Sequence, residues 1–277
     1  MNSLGHNAHV AWGTTLSMAD AEDIFLERLV GPVDPELGIP GGYEHKGRVR
    51  AIQVAEHTIR VKGRRAPLVF RSASTVHGPI ISHDLGFATL DSSFQATLSK
   101  AGQQGEGKGK GRTLAVSLAA THLSKDLYRN CYVLWSLMRV TTVKQAADAF
   151  TRLVAPSLNI VLADASGNIG YTTAGRCPVR HEPGRELGPL CGWTGEDDWS
   201  NGFIEGKVLP QSHNPNVGYI VTANHKITSD DKAPYMGSVY QVRFPAHACV
   251  HAPMHRYVRN RRSNPHPFPM YTIASKI

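Results

Sequence analysis

The stretch LNIVLADASGNIGYTTAGR, residues 158–176, constrains the chain most. Two β-rich arms flank Asp164-Ala165-Ser166-Gly167-Asn168, residues that tolerate left-handed backbone or bond their own main chain, so the arms are predicted to fold back as a tight hairpin. Just upstream, TTVKQAADAFTRLVAP reads as a helix. Thr142 is placed to cap it, with Gln145 three residues on; Val143, Ala147, Phe150 and Val154 recur on one face, and Pro156 ends the run. The overall order is strands, helix, strands, with no β-α-β alternation. That order predicts an α+β protein with antiparallel sheets and segregated helices rather than a doubly wound fold.

Other segments fill in this frame. Residues 31–47 are crowded with Pro and Gly and read as a surface connection. AEHTIRVKG and PLVFRSASTVHGPII, parted at Gly63-Arg64-Arg65, predict a second hairpin with one face buried. Residues 103–112, QQGEGKGKGR, read as a solvated loop; no Lys-Ser/Thr follows the glycines, so no phosphate cradle is expected. NPNVGYIVTANHK predicts a strand ending in a polar cluster. Residues 1–240 thus form one domain, and residues 241–277, basic and broken by Pro265, Pro267 and Pro269, a poorly ordered tail.

At 277 residues and 41% hydrophobic content, the chain can bury a sizeable core. Its net charge of +8 is concentrated in the tail, where Arg243, Arg256, Arg259, Arg261, Arg262 and Lys276 stand without an acid. No aromatic residues interleave with charge on a structured face, so nucleic acid is not an expected partner. No apolar run approaches the roughly 18–20 residues of a membrane span, and residues 1–16 lack the pattern of a secretory signal; the compartment is left open. Cys131, Cys177, Cys191 and Cys249 lack zinc-type spacing. Cys177 and Cys191 flank a Pro/Gly-rich loop and read as thiols that would pair only in an oxidising compartment.

No G-x-S-x-G elbow, H-E-x-x-H helix or Walker loop occurs. Two polar clusters remain. Asp20, Glu22 and Asp23 bring together oxygen ligands of the kind calcium takes; the ordinary alternative is a helix-start cluster complementing the dipole. Asn224 closes the predicted strand in Thr222-Ala223-Asn224-His225, where the ordinary reading is a turn amide.

Five motifs stand in register: GHN-x-x-x-AWG-x-T, AD-x-x-D-x-F-x-ER, R-x-x-x-T-x-HGP, ADASGNIGYTTAGRCPVR, and GWTGEDDWSNGFI followed by GYIVTAN. Together, over residues 5–231, they resemble the β-chain of the penicillin acylase (penicillin amidase) family, amidohydrolases with an N-terminal nucleophile. The resemblance implies an αββα sandwich of antiparallel sheets between helical layers. It also implies hydrolysis of linear amide bonds in acyl-amine substrates such as β-lactams or acyl-homoserine lactones, by a serine whose own α-amine is the base. The side-chain amide of Asn224 and the backbone N–H of Leu16 match the oxyanion-hole donors, and Thr14, Ala120, Leu158 and Asn159 the acyl pocket. Asp20, the carbonyl of Glu22, Asp23 and, more loosely, Asp231 match the ligands of a structural calcium. The serine stands some fifty residues upstream of GHN in the family, and only four residues precede Gly5 here. The chain is therefore expected to be part of such an enzyme, lacking the nucleophile and an α-chain. The alternative is an inactive remnant that binds acylated ligands or calcium.

Overall fold

The computed structural model describes residues 4–82, 113–224 and 234–237. The chain divides into two compact units, one of residues 1–21, 121–179 and 202–277, the other of residues 22–120 and 180–201. Residues 103–112, the calcium-ligand candidate Asp231 and the tail 241–277 lie outside the described residues.

In the first unit the predicted hairpin forms between β9 (Leu158–Asp164) and β10 (Ile169–Ala174), with Ile169 opposite Ala163 and Ala174 opposite Leu158. Its turn is organised by one side chain. Asp164 Oδ1 accepts from the backbone N–H groups of Ser166 and Asn168, and both carboxylate oxygens accept from Asn168 Nδ2. Gly167, at φ 88°, takes the left-handed position that a side chain would strain. The hairpin is the centre of a five-stranded antiparallel sheet ordered β1 (Leu4–His6), β2 (Val10–Leu16), β9, β10, β12 (Gln211–His213).

Two helices cover one face of this sheet. The predicted helix is α2 (Val143–Phe150): Thr142 Oγ1 accepts from Gln145 N–H, and Gln145 Oε1 returns to accept from Thr141 N–H. It ends at Phe150, earlier than the proline stop at Pro156, although Leu153 and Val154 stay buried. The inward residues are Val143, Ala146, Ala149 and Phe150, so the buried stripe runs beside the expected Ala147, which is partly buried. The sequence did not announce α1 (Arg129–Leu137), because only Val133 and Leu137 are buried on it while Tyr132 and Trp135 are exposed, leaving no regular apolar stripe. Val10, Leu158, Ile160 and Leu162 pack beneath the two helices. Asn7 of the GHN motif ties sheet to helix: its Oδ1 accepts from the N–H groups of His9 and Val10, and its Nδ2 donates to the carbonyls of Leu137 and Val140.

The second unit is built on β3 (Glu22–Val33), twelve residues long. It pairs antiparallel with β8 (Thr113–Ala120) from Glu22 opposite Ala120 to Leu29 opposite Thr113. The acidic cluster therefore opens a strand and not a helix, because Ile24, Leu26 and Leu29 are taken into a ladder that the local acid pattern does not reveal. The segment read as a surface connection supplies β4 (Pro40–His45), paired with β3 and with β5 (Arg48–Ala51). Lys46 and Gly47, at φ 50° and 69°, make the two-residue turn between them, the geometry that suits hairpin twist. A short β11 (Leu190–Cys191) runs parallel to β3 at Phe25 and Leu26.

The second predicted hairpin is β6 (Gln53–Ile59) with β7 (Leu68–Ser74). The expected buried face is not found among the described residues: all of β6 is exposed, and so are Leu68, Val69 and Phe70 on β7. An isolated two-stranded ribbon has no third layer against which to bury either face. Of the strand expected over residues 214–226, none forms among the described residues; left-handed backbone at Asn214 (φ 47°) and Gly218 (φ 75°) breaks that segment, and the ladder position beside β10 is taken by β12. Among the described residues no helix is long and apolar enough to cross a membrane.

Candidate functional site

In the first unit, the last residue of β2 meets the residue that the sequence singles out far downstream. The backbone N–H of Leu16 donates to Asn224 Oδ1 at 2.9 Å, across 208 positions of sequence. Asn224 is exposed and holds a left-handed backbone at φ 53°, a conformation asparagine tolerates better than most residues. Both groups lie at the surface, with Leu16 exposed, so they are open to a ligand. An anionic oxygen placed between them would take over the Leu16 N–H, and rotation of the amide would present Nδ2–H to the same point.

The Leu16 peptide is braced from behind. Asn159, buried in β9, donates through Nδ2 to the Leu16 carbonyl at 2.9 Å and to Thr15 Oγ1 at 3.3 Å. Its Oδ1 accepts from the hydroxyl of Tyr171 at 2.8 Å, and that hydroxyl also meets Thr173 Oγ1 at 2.7 Å. Burial pushes the Tyr171 phenol up to about 12, against the smaller opposing effect of the Thr173 bond, so it stays a neutral donor. Strand alternation places Thr14 and Leu158 on the helix-covered face and Asn159 on the other. Asn159 is thus a support for the main chain, while Thr14 and Leu158 share a face; Ala120 belongs to the second unit, at the end of β8.

The residues that resemble calcium ligands are distributed differently. Asp20 belongs to the first unit, its N–H donating to the Met236 carbonyl at 2.8 Å. Glu22 is exposed at the start of β3. Asp23 is buried, with Oδ1 accepting from Arg180 at 2.9 Å and Oδ2 from the indole N–H of Trp199 at 2.6 Å. Burial raises its pKa, opposed by the Arg180 bond and charge. A guanidinium seated on that carboxylate repels a cation, so Asp23 as arranged here does not fit a calcium ligand. Asp231 lies outside the described residues.

A second polar cluster, in the second unit, went unassigned in the sequence although the HGP, ER and DDW motifs carry most of it. Glu27, fully buried on β3, accepts at Oε1 from Thr75 Oγ1 (2.7 Å), Ser117 Oγ (2.6 Å) and His77 Nδ1 (2.7 Å). Across the same imidazole, His77 Nε2 lies 2.9 Å from Asp198 Oδ1. Asp198 Oδ2 meets His45 Nε2 at 3.0 Å and the Lys46 ammonium at 2.9 Å. Burial works to lower the His77 pKa, but the bonds and charges of Glu27 and Asp198 outweigh it and hold it above the ordinary histidine value. Burial likewise works to raise Glu27 and Asp198, and their hydrogen-bond donors hold both below the carboxylate range. Phe25 stacks on the His77 ring, 4.0 Å between centroids and 8° from parallel. Donor atoms of His45, His77 and Asp198 lie within 4.8 Å of one another, and the three could hold a metal ion. His45 escaped notice in the sequence because it stands in the Pro/Gly-rich segment; a lone histidine there carries no motif.

These two arrangements can be set beside known proteins. The sequence profile of the penicillin amidase family matches residues 1–263. The chain is 32% identical over 225 residues to the acyl-homoserine lactone acylase QuiP of Pseudomonas fluorescens, covering 81% of this chain and 24% of that protein. It is 31% identical over 226 residues to the penicillin G acylase of Escherichia coli, covering 82% and 22%. It thus spans about a quarter of the length of these relatives. The thermostable penicillin G acylase from Alcaligenes faecalis has a similar fold, with a TM-score of 0.62 at 22% identity over 86% of this chain and 36% of that one. By profile, sequence and fold, this chain belongs to the penicillin amidase family.

Proposed function

We propose that this chain forms the oxyanion-binding wall of an amidohydrolase that cleaves linear amide bonds in acyl-amine substrates. The observation that carries the reading is the pairing of the Leu16 N–H with the Asn224 side chain at the open end of β2. In amide cleavage the carbonyl oxygen gains charge as the carbon becomes tetrahedral, and two preorganised donors meeting it at hydrogen-bond distance lower the barrier. Asn159 and Tyr171 keep the Leu16 peptide from turning away. Thr14, half-buried beside Leu16 on β2, would meet the acyl group, whereas Leu158 packs in the core beneath the helices. The reaction also needs a nucleophile and a base, and neither role is assigned to a described residue. The names of the relatives favour acyl-homoserine lactones and penicillins as the substrate classes to assay first.

The native protein, purified from its source, should hydrolyse a chromogenic acyl-anilide, and Asn224→Ala should lower kcat by about 10²–10³-fold with a much smaller change in KM. An unchanged kcat in the Asn224→Ala protein would overturn the assignment. A native protein without any amidase activity would favour the inactive-remnant reading instead.

A further inference from the structure

The geometry of the buried cluster in the second unit points to a site independent of amide hydrolysis: we propose that His45, His77 and Asp198 bind one divalent transition cation of the zinc class, with Glu27 as the positioning residue for His77. Three observations support this. First, the donor set is two imidazoles and one carboxylate, the combination that zinc-class ions take and that calcium, which prefers oxygen alone, does not.

Second, the atoms converge. His45 Nε2 and His77 Nε2 stand 3.0 and 2.9 Å from the two oxygens of one carboxylate, and all the donor atoms fall within 4.8 Å. Ligands about 2.0–2.2 Å from a zinc-class ion lie roughly 3–3.5 Å from each other, so small side-chain shifts suffice to receive it. Third, the surrounding groups orient the ligand. Glu27 Oε1, 2.7 Å from His77 Nδ1, accepts the proton on that nitrogen, the carboxylate–histidine–metal arrangement that orients ligands in metal sites, so an entering ion displaces only the proton that His77 Nε2 shares with Asp198 Oδ1 at 2.9 Å. Thr75 and Ser117 fix Glu27 in turn, and Phe25 fixes the plane of the His77 ring.

The competing group is the Lys46 ammonium, 2.9 Å from Asp198 Oδ2; its side chain is 48% exposed and can swing into solvent when a cation enters. The histidines are 3% exposed, so the ion would be screened from water on their side. A bound ion would join the end of β4, the turn at residues 75–78 and the segment at Asp198 into one cross-linked structure within this unit.

The test uses the tag-free 277-residue chain, stripped with a chelator and titrated calorimetrically with zinc chloride. One equivalent should bind, and at about 100-fold excess over Kd the melting temperature should rise by about 5–10 °C. His45→Gln and His77→Gln should each abolish the stoichiometric site, whereas His57→Gln, on the exposed hairpin, should leave it intact. Glu27→Gln should keep the stoichiometry and weaken affinity about 10–100-fold. Should a variant fail to fold, ¹⁵N correlation spectra of the wild-type imidazoles decide the matter, since zinc should shift the Nε2 resonances of two histidines. Failure of the wild-type chain to bind one equivalent, survival of the site in the His45→Gln/His77→Gln double variant, or unshifted imidazole nitrogens would overturn the site. Undiminished affinity in Glu27→Gln would overturn the role of Glu27.

Discussion

Removing the Asp164 carboxylate is the sharpest test of how the first unit is held together. That side chain serves two elements at once: Oδ1 accepts from the N–H groups of Ser166 and Asn168 in the β9–β10 turn, and Oδ2 accepts from the N–H of Val143 at 3.1 Å, in the first turn of α2. The turn donors sit near solvent and can rehydrate in Asp164→Ala, so their loss costs about 0.5–1 kcal/mol each. Val143 is buried, and its orphaned N–H costs about 1–3 kcal/mol more. The sum is about 2–5 kcal/mol, measurable by urea denaturation as a fall in midpoint. Asp164→Asn keeps one acceptor oxygen and should lose about half as much.

The pH dependence follows from the same bonds. Burial works to raise the Asp164 pKa, but the donors from Val143, Asn168 and Ser166 outweigh it and the folded value is depressed. A depressed carboxylate pKa contributes stability that is present above the unfolded value of about 3.9 and lost as pH falls through the folded one. The gap between wild type and Asp164→Asn should therefore be flat above about pH 5 and shrink below about pH 4. A destabilisation under about 1 kcal/mol for Asp164→Ala, or a gap that widens on acidification, would refute the reasoning.

Asn7→Ala should destabilise by about 2–3 kcal/mol in thermal or urea melts, because it opens two hydrogen bonds within the turn before β2 and two that tie this turn to the carbonyls of Leu137 and Val140 at the end of α1. Gly192→Ala should cost at least about 2 kcal/mol and disturb the His77 imidazole resonances, since a Cβ there would stand 2.5 Å from Glu27 Oε2 and 2.8 Å from the Leu26 carbonyl. Tyr171 should resist alkaline titration until about 12, read as phenolate absorbance missing from a Tyr171→Phe difference spectrum. Its raised pKa means that its contribution is complete below the unfolded value of about 10 and lost as pH rises through the folded one.

Local chemistry was legible wherever a motif is contiguous. The Asp164–Asn168 turn and the Thr142 cap appear as the residue types require, because turns and caps are satisfied by neighbours in the chain. The helix α1 and the strand β4 were not legible. α1 buries only Val133 and Leu137, too few to set a period, and β4 lies in a segment whose Pro and Gly signal a loop until β3 and β5 pair on either side of it. The reverse holds at residues 214–224 and on the β6–β7 hairpin, where β-rich composition promises a strand or a buried face that no neighbouring layer supplies.

The candidate sites divide in the same way. By itself the sequence determined the family, through five ordered motifs, and only through that resemblance offered the Leu16 N–H and the Asn224 amide as oxyanion-hole candidates. Only the tertiary structure decided that they meet at 2.9 Å, that Asn159 braces the Leu16 carbonyl from the opposite face of the sheet, and that Asp23 is committed to Arg180 and Trp199. It also brought Glu27, His45, His77 and Asp198 together from four separate stretches of chain. The physical reason is range: caps and turns are closed by atoms a few residues apart, whereas a buried charge finds its counter-charges through strand register, which no local pattern encodes.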